Sequence, residues 1–395
     1  MNALIRAVIN KNSRVPGVMS LMITFGILAA CLWPFNFNAG NKVAWLQDEY
    51  GIRFYGQGVV FSPAPLKMPD AAAGTGALTI ELLVRPGKGS GSEWGSILTW
   101  YSQGQEQFIF GQWKTNFNVR VPAVATIAKG SYRHLGIVNS LPANTARLIT
   151  VASGRDKTDI YVNGKLEESA PHYTLLHDDQ GIAGYLVLGT SPPGRDPWNG
   201  DVLGMAVYGR LLTDGEIRDH YQAWGKRERT AVLSGHSQLQ AGKAARREAT
   251  DPVALYFFNE RSGQAIRDHS GAGNQLQVPA RFRPFHKPVL LAPWNDRWLS
   301  FGYVVDIILN VLGFVPFGFF LSAWLRYAKD LPAARVYGIA ILSGFCLSLG
   351  VELTQVYLPT RGSQLMDVVT NTLGTALGAM LLFKYVVPAL GKDAG

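Results

Sequence analysis

Charge is scarce in this chain. Of 395 residues, 16% are Asp, Glu, Lys or Arg and 47% are hydrophobic, whereas soluble domains carry about 25% charged residues. The deficit points to membrane segments. Cysteine is scarcer still. Cys31 and Cys346 both lie in apolar runs, which excludes a disulfide framework and says little about redox compartment. CxxC and His-rich spacings are missing, which excludes a zinc-type metal centre. Basic residues outnumber acids by 37 to 28. They are not clustered on a reader motif, so nucleic acid is not an expected partner. Arg and Lys flanking apolar runs account for the excess.

The apolar runs cover residues 15–35, 303–325, 336–358 and 366–390. A spanning helix needs about 20 residues, and each run is that long. Residues 1–35 read as an N-terminal tail and a first transmembrane helix. Two other readings compete for it: a cleaved signal peptide, and a lipoprotein signal in Leu28-Ala29-Ala30-Cys31. The chain continues as Leu32-Trp33-Pro34-Phe35, whereas a lipoprotein tether is polar. Trp33 and Phe35 suit a membrane interface, so the retained helix is preferred, with lipidation of Cys31 as the next choice.

Residues 40–225 have another character. Short β-branched and aromatic runs such as Leu78–Val84 and Asp159–Val162 alternate with turn signals. Those signals are Pro86-Gly87, Asn163-Gly164, Pro192-Pro193-Gly194 and Asn199-Gly200. Asn-Gly between strands is a strong hairpin signal, and many short strands with Gly/Pro turns predict a sandwich or jelly roll. A helical turn at Thr213–Ile217 closes this part, with Thr213 placed to cap it. Residues 226–250 are polar and read as a linker or exposed helix. Residues 251–295 read as late strands pairing back onto the jelly roll, and 303–390 as transmembrane helices two to four. The fold class is therefore mixed: a four-helix transmembrane bundle plus an extracytoplasmic all-β jelly-roll sandwich.

The polar residues of the last three runs fall into stripes. Asp306 and Asn310 lie at the start of the second helix. Glu352 and Gln355 end the third, with Ser348 one turn before. Asp367 and Asn371 begin the fourth, and Arg361 sits in the loop between. Spacings of three, four and seven residues place each set on one face. Such groups cost about 2.5–3.5 kcal/mol each at the centre of a spanning helix. They are expected to converge, with Arg361, on one polar cluster. Gly374-x-x-x-Gly378 would let another helix approach closely.

Orientation follows from the short flanks. Arg6, Lys11 and Arg14 precede the first helix. Arg326, Lys329 and Arg335 lie between the second and third, and Lys384 and Lys392 lie at the end. Arg361 stands alone between the third and fourth. Both termini are expected in the cytoplasm, with the jelly roll outside the cytoplasmic membrane and the polar cluster at the outer face. Lys287 and Arg297 count against this, but they belong to a long translocated segment where the rule is weak.

Two resemblances rest on particular residues. Ile160-Tyr161-Val162-Asn163-Gly164-Lys165, Trp198-Asn199-Gly200-Asp201 and Val207–Ile217 resemble the closing half of a LamG-like, concanavalin A-like domain. Residues 254–276 resemble the opening strands of that family. Pro34-Phe35, Asn310, Pro316-Phe317-Gly318, Glu352-x-x-Gln355, Arg361, Asp367, Asn371 and Gly374 resemble the VanZ-like family of bacterial membrane proteins, with the jelly roll inserted between the first and second helices. The second resemblance implies an association with low-level glycopeptide antibiotic resistance.

Three functions are weighed. One is a bacterial cell-envelope protein whose jelly roll binds a glycan or an envelope protein, alongside membrane lipid. Another is a membrane-embedded enzyme or transporter acting on a lipid-linked substrate. There Glu352 or Asp367 would move a proton and Arg361 would hold a phosphate or carboxylate. The alternative for the cluster is a salt-bridge and amide network that fixes the bundle. The third function, a glycosidase, needs paired carboxylates, and the Glu-x-Asp-x-x-Glu strand of jelly-roll glucanases is missing, so no enzyme activity is expected of the sandwich. Its candidate ligand groups are Trp94, Trp100, Trp113 and Trp198. Asp196 and Asp201 are weak calcium candidates, because the further oxygen ligands calcium needs are not readable.

Overall fold

The computed structural model describes residues 14–66, 76–89, 94–123, 132–176, 183–230, 252–293 and 301–388, with backbone alone at 226–230 and 301. The expectations for Arg6, Lys11, Arg297, Lys392 and most of the 226–250 linker lie outside these residues. The described residues divide into two compact units. Residues from Asn38 to His286 form one, and those up to Phe37 and from Lys287 onward form the other.

The first unit is a sandwich of two eight-stranded antiparallel sheets. One sheet runs β1 (Val43–Trp45), β2 (Ile52–Gly56), β13 (Trp198–Tyr208), β4 (Leu78–Pro86), β9 (Arg147–Ser153), β10 (Lys157–Val162), β11 (Lys165–Pro171), with β14 (Ala254–Tyr256) also on β13. The other runs β15 (Ala265–Ile266), β16 (Leu276–Gln277), β3 (Val60–Phe61), β12 (Tyr185–Leu188), β5 (Gly95–Ser102), β6 (Gln105–Trp113), β7 (Asn116–Pro122), β8 (Tyr132–Ile137). Strand β13 is the hub, because it pairs with β4 on one side and with β2 and β14 on the other. Alternate residues of each sheet fill the space between them, among them Ile80, Leu82, Trp100, Phe108, Phe110, Phe117 and Met205.

Local chemistry accounts for the hairpin between β10 and β11. Asn163 and Gly164 have φ of 53° and 77°, the left-handed pair that a two-residue hairpin turn requires. Asn199-Gly200 does not turn, because both residues lie inside β13. Gly200 serves packing instead, since a Cβ there would run into the Trp198 ring.

Helix α2 (Asp214–Thr230) is much longer than one turn and reaches into the stretch read as linker. It starts with a reciprocal cap: Thr213 N–H donates to Glu216 Oε2 at 2.8 Å, and Glu216 N–H to Thr213 Oγ1 at 3.3 Å, the capping-box arrangement. Arg210 completes it at 2.6 Å. This guanidinium, with the Thr213 amide, pulls the Glu216 carboxyl down to about 2. Ile217 and Trp224 of α2 cover the outer face of the first sheet, against Leu83, Leu148, Ala206 and Tyr208. The cover explains why β4 is buried on both faces despite its alternating Thr79 and Glu81.

The second unit is a helical bundle. Four helical spans are long and apolar enough to cross a membrane: Val15–Leu32, Gly302–Tyr327, Ala333–Gln355 and Leu365–Val386. The corresponding α-helices are α1 (Val15–Leu32), α3 (Phe301–Tyr327), α4 (Ala333–Gln355) and α5 (Leu365–Leu381). Helices α3 and α5 make the closest pair. A Cβ on Gly374 would meet the Val311 carbonyl, one on Gly378 the Val315 carbonyl, and one on Gly318 the Thr375 backbone. These glycines let the two backbones touch, as small residues do between membrane helices. Helix α1 packs through Ile27 on Phe314 and Phe317 of α3.

Candidate functional site at the polar end of the bundle

The end of α1, the end of α4 and the start of α5 meet at one end of the bundle. Glu352 is 2% exposed, and its Oε2 accepts the Gln364 backbone N–H at 2.8 Å. Gln364 is the N-cap of α5. The carboxylate therefore satisfies one of the amides left open at a helix start and sits at the positive end of the dipole. One turn earlier on α4, Ser348 Oγ accepts from Asn371 Nδ2 at 2.9 Å. Asp367 Oδ1 accepts from Asn310 Nδ2 at 2.9 Å. Residues from α3, α4 and α5 thus form a ladder of short polar contacts inside an apolar bundle. Asn371 Oδ1 is buried and has no hydrogen-bond partner among the described residues.

Two cations cap helix ends. Arg361 donates from Nε to the Trp33 carbonyl at 3.0 Å and from Nη2 to the Ala30 carbonyl at 3.1 Å. Gln355 Nε2 donates to the Cys31 carbonyl at 2.9 Å. Together they close the C-terminus of α1, where carbonyls are otherwise unpaired and positive charge is favoured. Lys287 Nζ does the same for α4, donating to the Gln355 carbonyl at 2.9 Å and to the Leu358 carbonyl. Cys31 lies inside α1, so α1 and its last turn are integral to this end of the bundle.

Most of the expected cluster comes together, with two corrections. Asp306 is exposed and makes no hydrogen bond to a described residue. It lies one turn nearer the start of α3 than Asn310, whose partner Asp367 stands in the first turn of α5, a helix that begins only at Leu365. Arg361 does not reach the carboxylates, because its guanidinium is engaged by the carbonyls of α1. Sequence reasoning missed Lys287 and Ser363. Neither carries a local pattern, since their partners lie at distant positions in the chain.

In the sandwich, Trp100 and Trp198 are 0% and 1% exposed and belong to the core, which removes them as ligand contacts. Trp198 Nε1 donates to Gln112 Oε1 at 2.8 Å, tying β13 to β6 across the two sheets. Trp113 is 46% exposed. Trp94 is half-buried, with the Arg120 guanidinium carbon 3.3 Å from its ring centroid, a cation–π contact. A calcium ion does not fit Asp201, whose carboxylate is 2.6 Å from both Arg53 and Arg85. Among the described residues no group of three or more His, Cys, Asp or Glu could hold a metal.

A buried carboxylate lies under α2. Glu81 is fully buried, with Oε1 3.0 Å from His220 Nδ1 and Oε2 accepting from Trp224 Nε1 at 3.1 Å. The hydrogen bond to Glu81 raises the His220 pKa above its ordinary value. A raised histidine contributes stability below its unfolded pKa and loses it as pH rises through the folded one. The urea midpoint of sandwich unfolding should therefore fall between pH 6 and pH 8.5. In His220→Gln that fall should vanish. Glu216 does not interfere, because its contribution is lost only as pH falls toward about 2.

An antiparallel sandwich inserted between membrane helices, with a buried polar end on the bundle, defines a polytopic membrane protein with a lectin-like domain. The family comparisons agree. The VanZ/LLP1 family model matches residues 253–387. The model of the concanavalin A-like lectin/glucanases superfamily matches residues 63–218. The chain is a membrane protein joining a VanZ-like helical domain to a concanavalin A-like jelly roll. No curated protein matches it. Among solved structures it is similar to the receptor binding domain of botulinum neurotoxin D, at 11% identity over 47% of each chain, TM-score 0.35. It is also similar to a heptameric SAP-like pentraxin from Limulus polyphemus, at 13% identity over 45% of this chain and 81% of the other, TM-score 0.31. The chain spans less than half the length of the first solved structure among its matches, the HCR/D W1238A mutant, at 46%.

Proposed function

We propose that this is a bacterial cell-envelope protein of the cytoplasmic membrane. Its jelly roll lies outside and binds an envelope glycan or protein, and its four helices anchor that domain. The observation that carries the reading is the meeting of the α1 end with the α4 end and the α5 start. The sandwich sequence follows α1 and precedes α3 in the chain, and an even number of later spans is consistent with the α4–α5 loop lying on the same side of the membrane as that connection. Arg326, Lys329 and Arg335 lie between α3 and α4, at the opposite end, and basic loops favour the cytoplasm. A reporter fused after Gly395 is expected to behave as cytoplasmic, and one inserted within 231–250 as external. The reverse pattern would overturn the orientation. Purified full-length protein on a glycan array tests the ligand, and silence on every sugar turns the reading to a protein partner.

The buried Glu352 favours a second reading, in which the polar end acts on a lipid-linked envelope substrate and contributes to glycopeptide tolerance. Intramembrane ionisable residues cluster at substrate and proton pathways. Glu352→Gln separates function from architecture. The expected result is an unchanged protein level with a lost envelope phenotype. Loss of the folded protein would assign Glu352 to the scaffold.

A further inference from the structure

The loop between α4 and α5 is held from two sides by alternate residues. On one side the segment Lys287–Leu291 runs beside it. Leu291 N–H donates to the Ser363 carbonyl at 2.8 Å, and Leu365 N–H donates to the Leu291 carbonyl at 3.0 Å, a parallel bridge between Leu291 and Gln364. Leu290 N–H donates to Ser363 Oγ at 3.1 Å. Lys287 anchors the start of the segment on the Gln355 and Leu358 carbonyls. On the other side, Gln364 N–H faces Glu352 at 2.8 Å. In extended backbone, successive N–H groups point to opposite edges. The Ser363 carbonyl that accepts from Leu291 and the Gln364 N–H that donates to Glu352 belong to one peptide group, so a shift of the segment moves the amide that holds Glu352.

We infer that Lys287–Leu291 is a strap that keeps Glu352 latched, and that releasing it frees the buried carboxylate to act. Lys287 and Ser363 are positioning residues for Glu352. The strap begins one peptide bond after His286, the last residue of the sandwich unit. The inference rests on the reading of the polar end as a working site.

Dicyclohexylcarbodiimide, an apolar reagent that adds to protonated carboxyls and leaves a stable N-acylurea, reports the latch in the full-length protein in membranes. The adduct on the Glu352 peptide is followed by mass spectrometry, with Glu352→Gln as the blank and exposed Asp306 as internal reference. Lys287→Met is expected to raise the Glu352 rate about tenfold, the factor that about 1.4 kcal/mol of lost latch carries, and to leave Asp306 unchanged. An unchanged Glu352 rate overturns the strap. A Leu290→Cys/Ser363→Cys pair, with Cys31 and Cys346 as alanine, tests it where Lys287→Met does not accumulate. The reduced form should label faster than the oxidised form, and equal rates overturn the proposal. The readout needs no envelope phenotype, so the strap can fail while the site reading stands, and the reverse.

Discussion

Gly378→Leu is expected to abolish the folded bundle. Its Cβ position falls on the Val315 carbonyl and close to the Phe319 amide of α3. Those are backbone atoms, which cannot turn aside as a flexible side chain does. The helices would have to separate by more than a side-chain layer, and every contact along the α3–α5 seam would loosen with them. Association of membrane helices relies on this packing, because lipid tails are as apolar as leucine. The expected result is a protein that fails to accumulate, or one whose thermal aggregation in detergent shifts down strongly. Gly313→Leu is the matched control. Nothing lies within 4 Å of its Cβ position, so wild-type accumulation is expected. Equal behaviour of the two variants would remove the seam from the account.

Trp198→Ala is expected to cost the sandwich about 3–5 kcal/mol, the range for truncating a buried aromatic. The ring is buried against Phe54 at 6.1 Å between centroids, with Gly95 and Gly200 leaving the space it fills. Truncation also removes the indole donor to Oε1 of Gln112, which is 2% exposed. Loss of that buried hydrogen bond adds to the cavity cost. Urea unfolding of the full-length protein, followed by tryptophan fluorescence, should show a much lower midpoint. Trp113→Ala, at an exposed site, should move it little. A small shift for Trp198→Ala would mean that the ring stands nearer a surface than the core.

Much of the fold was legible because its signals are local. Asn163-Gly164 announces its hairpin through backbone preference alone. The four apolar runs announce spanning helices by length. Glu352 and Gln355 were legible as one face from their spacing of three. Where reading failed, the deciding partner lay far away in the chain. Asn199-Gly200 carries the same dipeptide as the hairpin, yet pairing with β2 and β4 keeps it extended. Glu81 looks like an outward polar residue of an alternating strand, and it is buried because α2 arrives more than a hundred residues later. Asp306 shares a stripe with Asn310, but Asp367, the partner of Asn310, stands in the first turn of α5. Arg361 was expected on the carboxylates. The carbonyls of α1, 328 and 331 positions away, hold it instead.

That separation has a consequence for biosynthesis. The side chains that close the end of α1 are made 324 to 331 residues after the carbonyls they bond. At roughly 5–20 residues per second of synthesis, α1 waits on the order of 15–65 s for Gln355 and Arg361. During that interval the whole sandwich emerges and has time to fold, while α1 has lipid around it and, only late, α3 to pack on. The last two helices then complete a bundle whose first member stood as a lone anchor until α3 was made. A ribosome stalled between 300 and 350 would therefore leave a finished jelly roll on an open bundle, a state with its polar end unsealed.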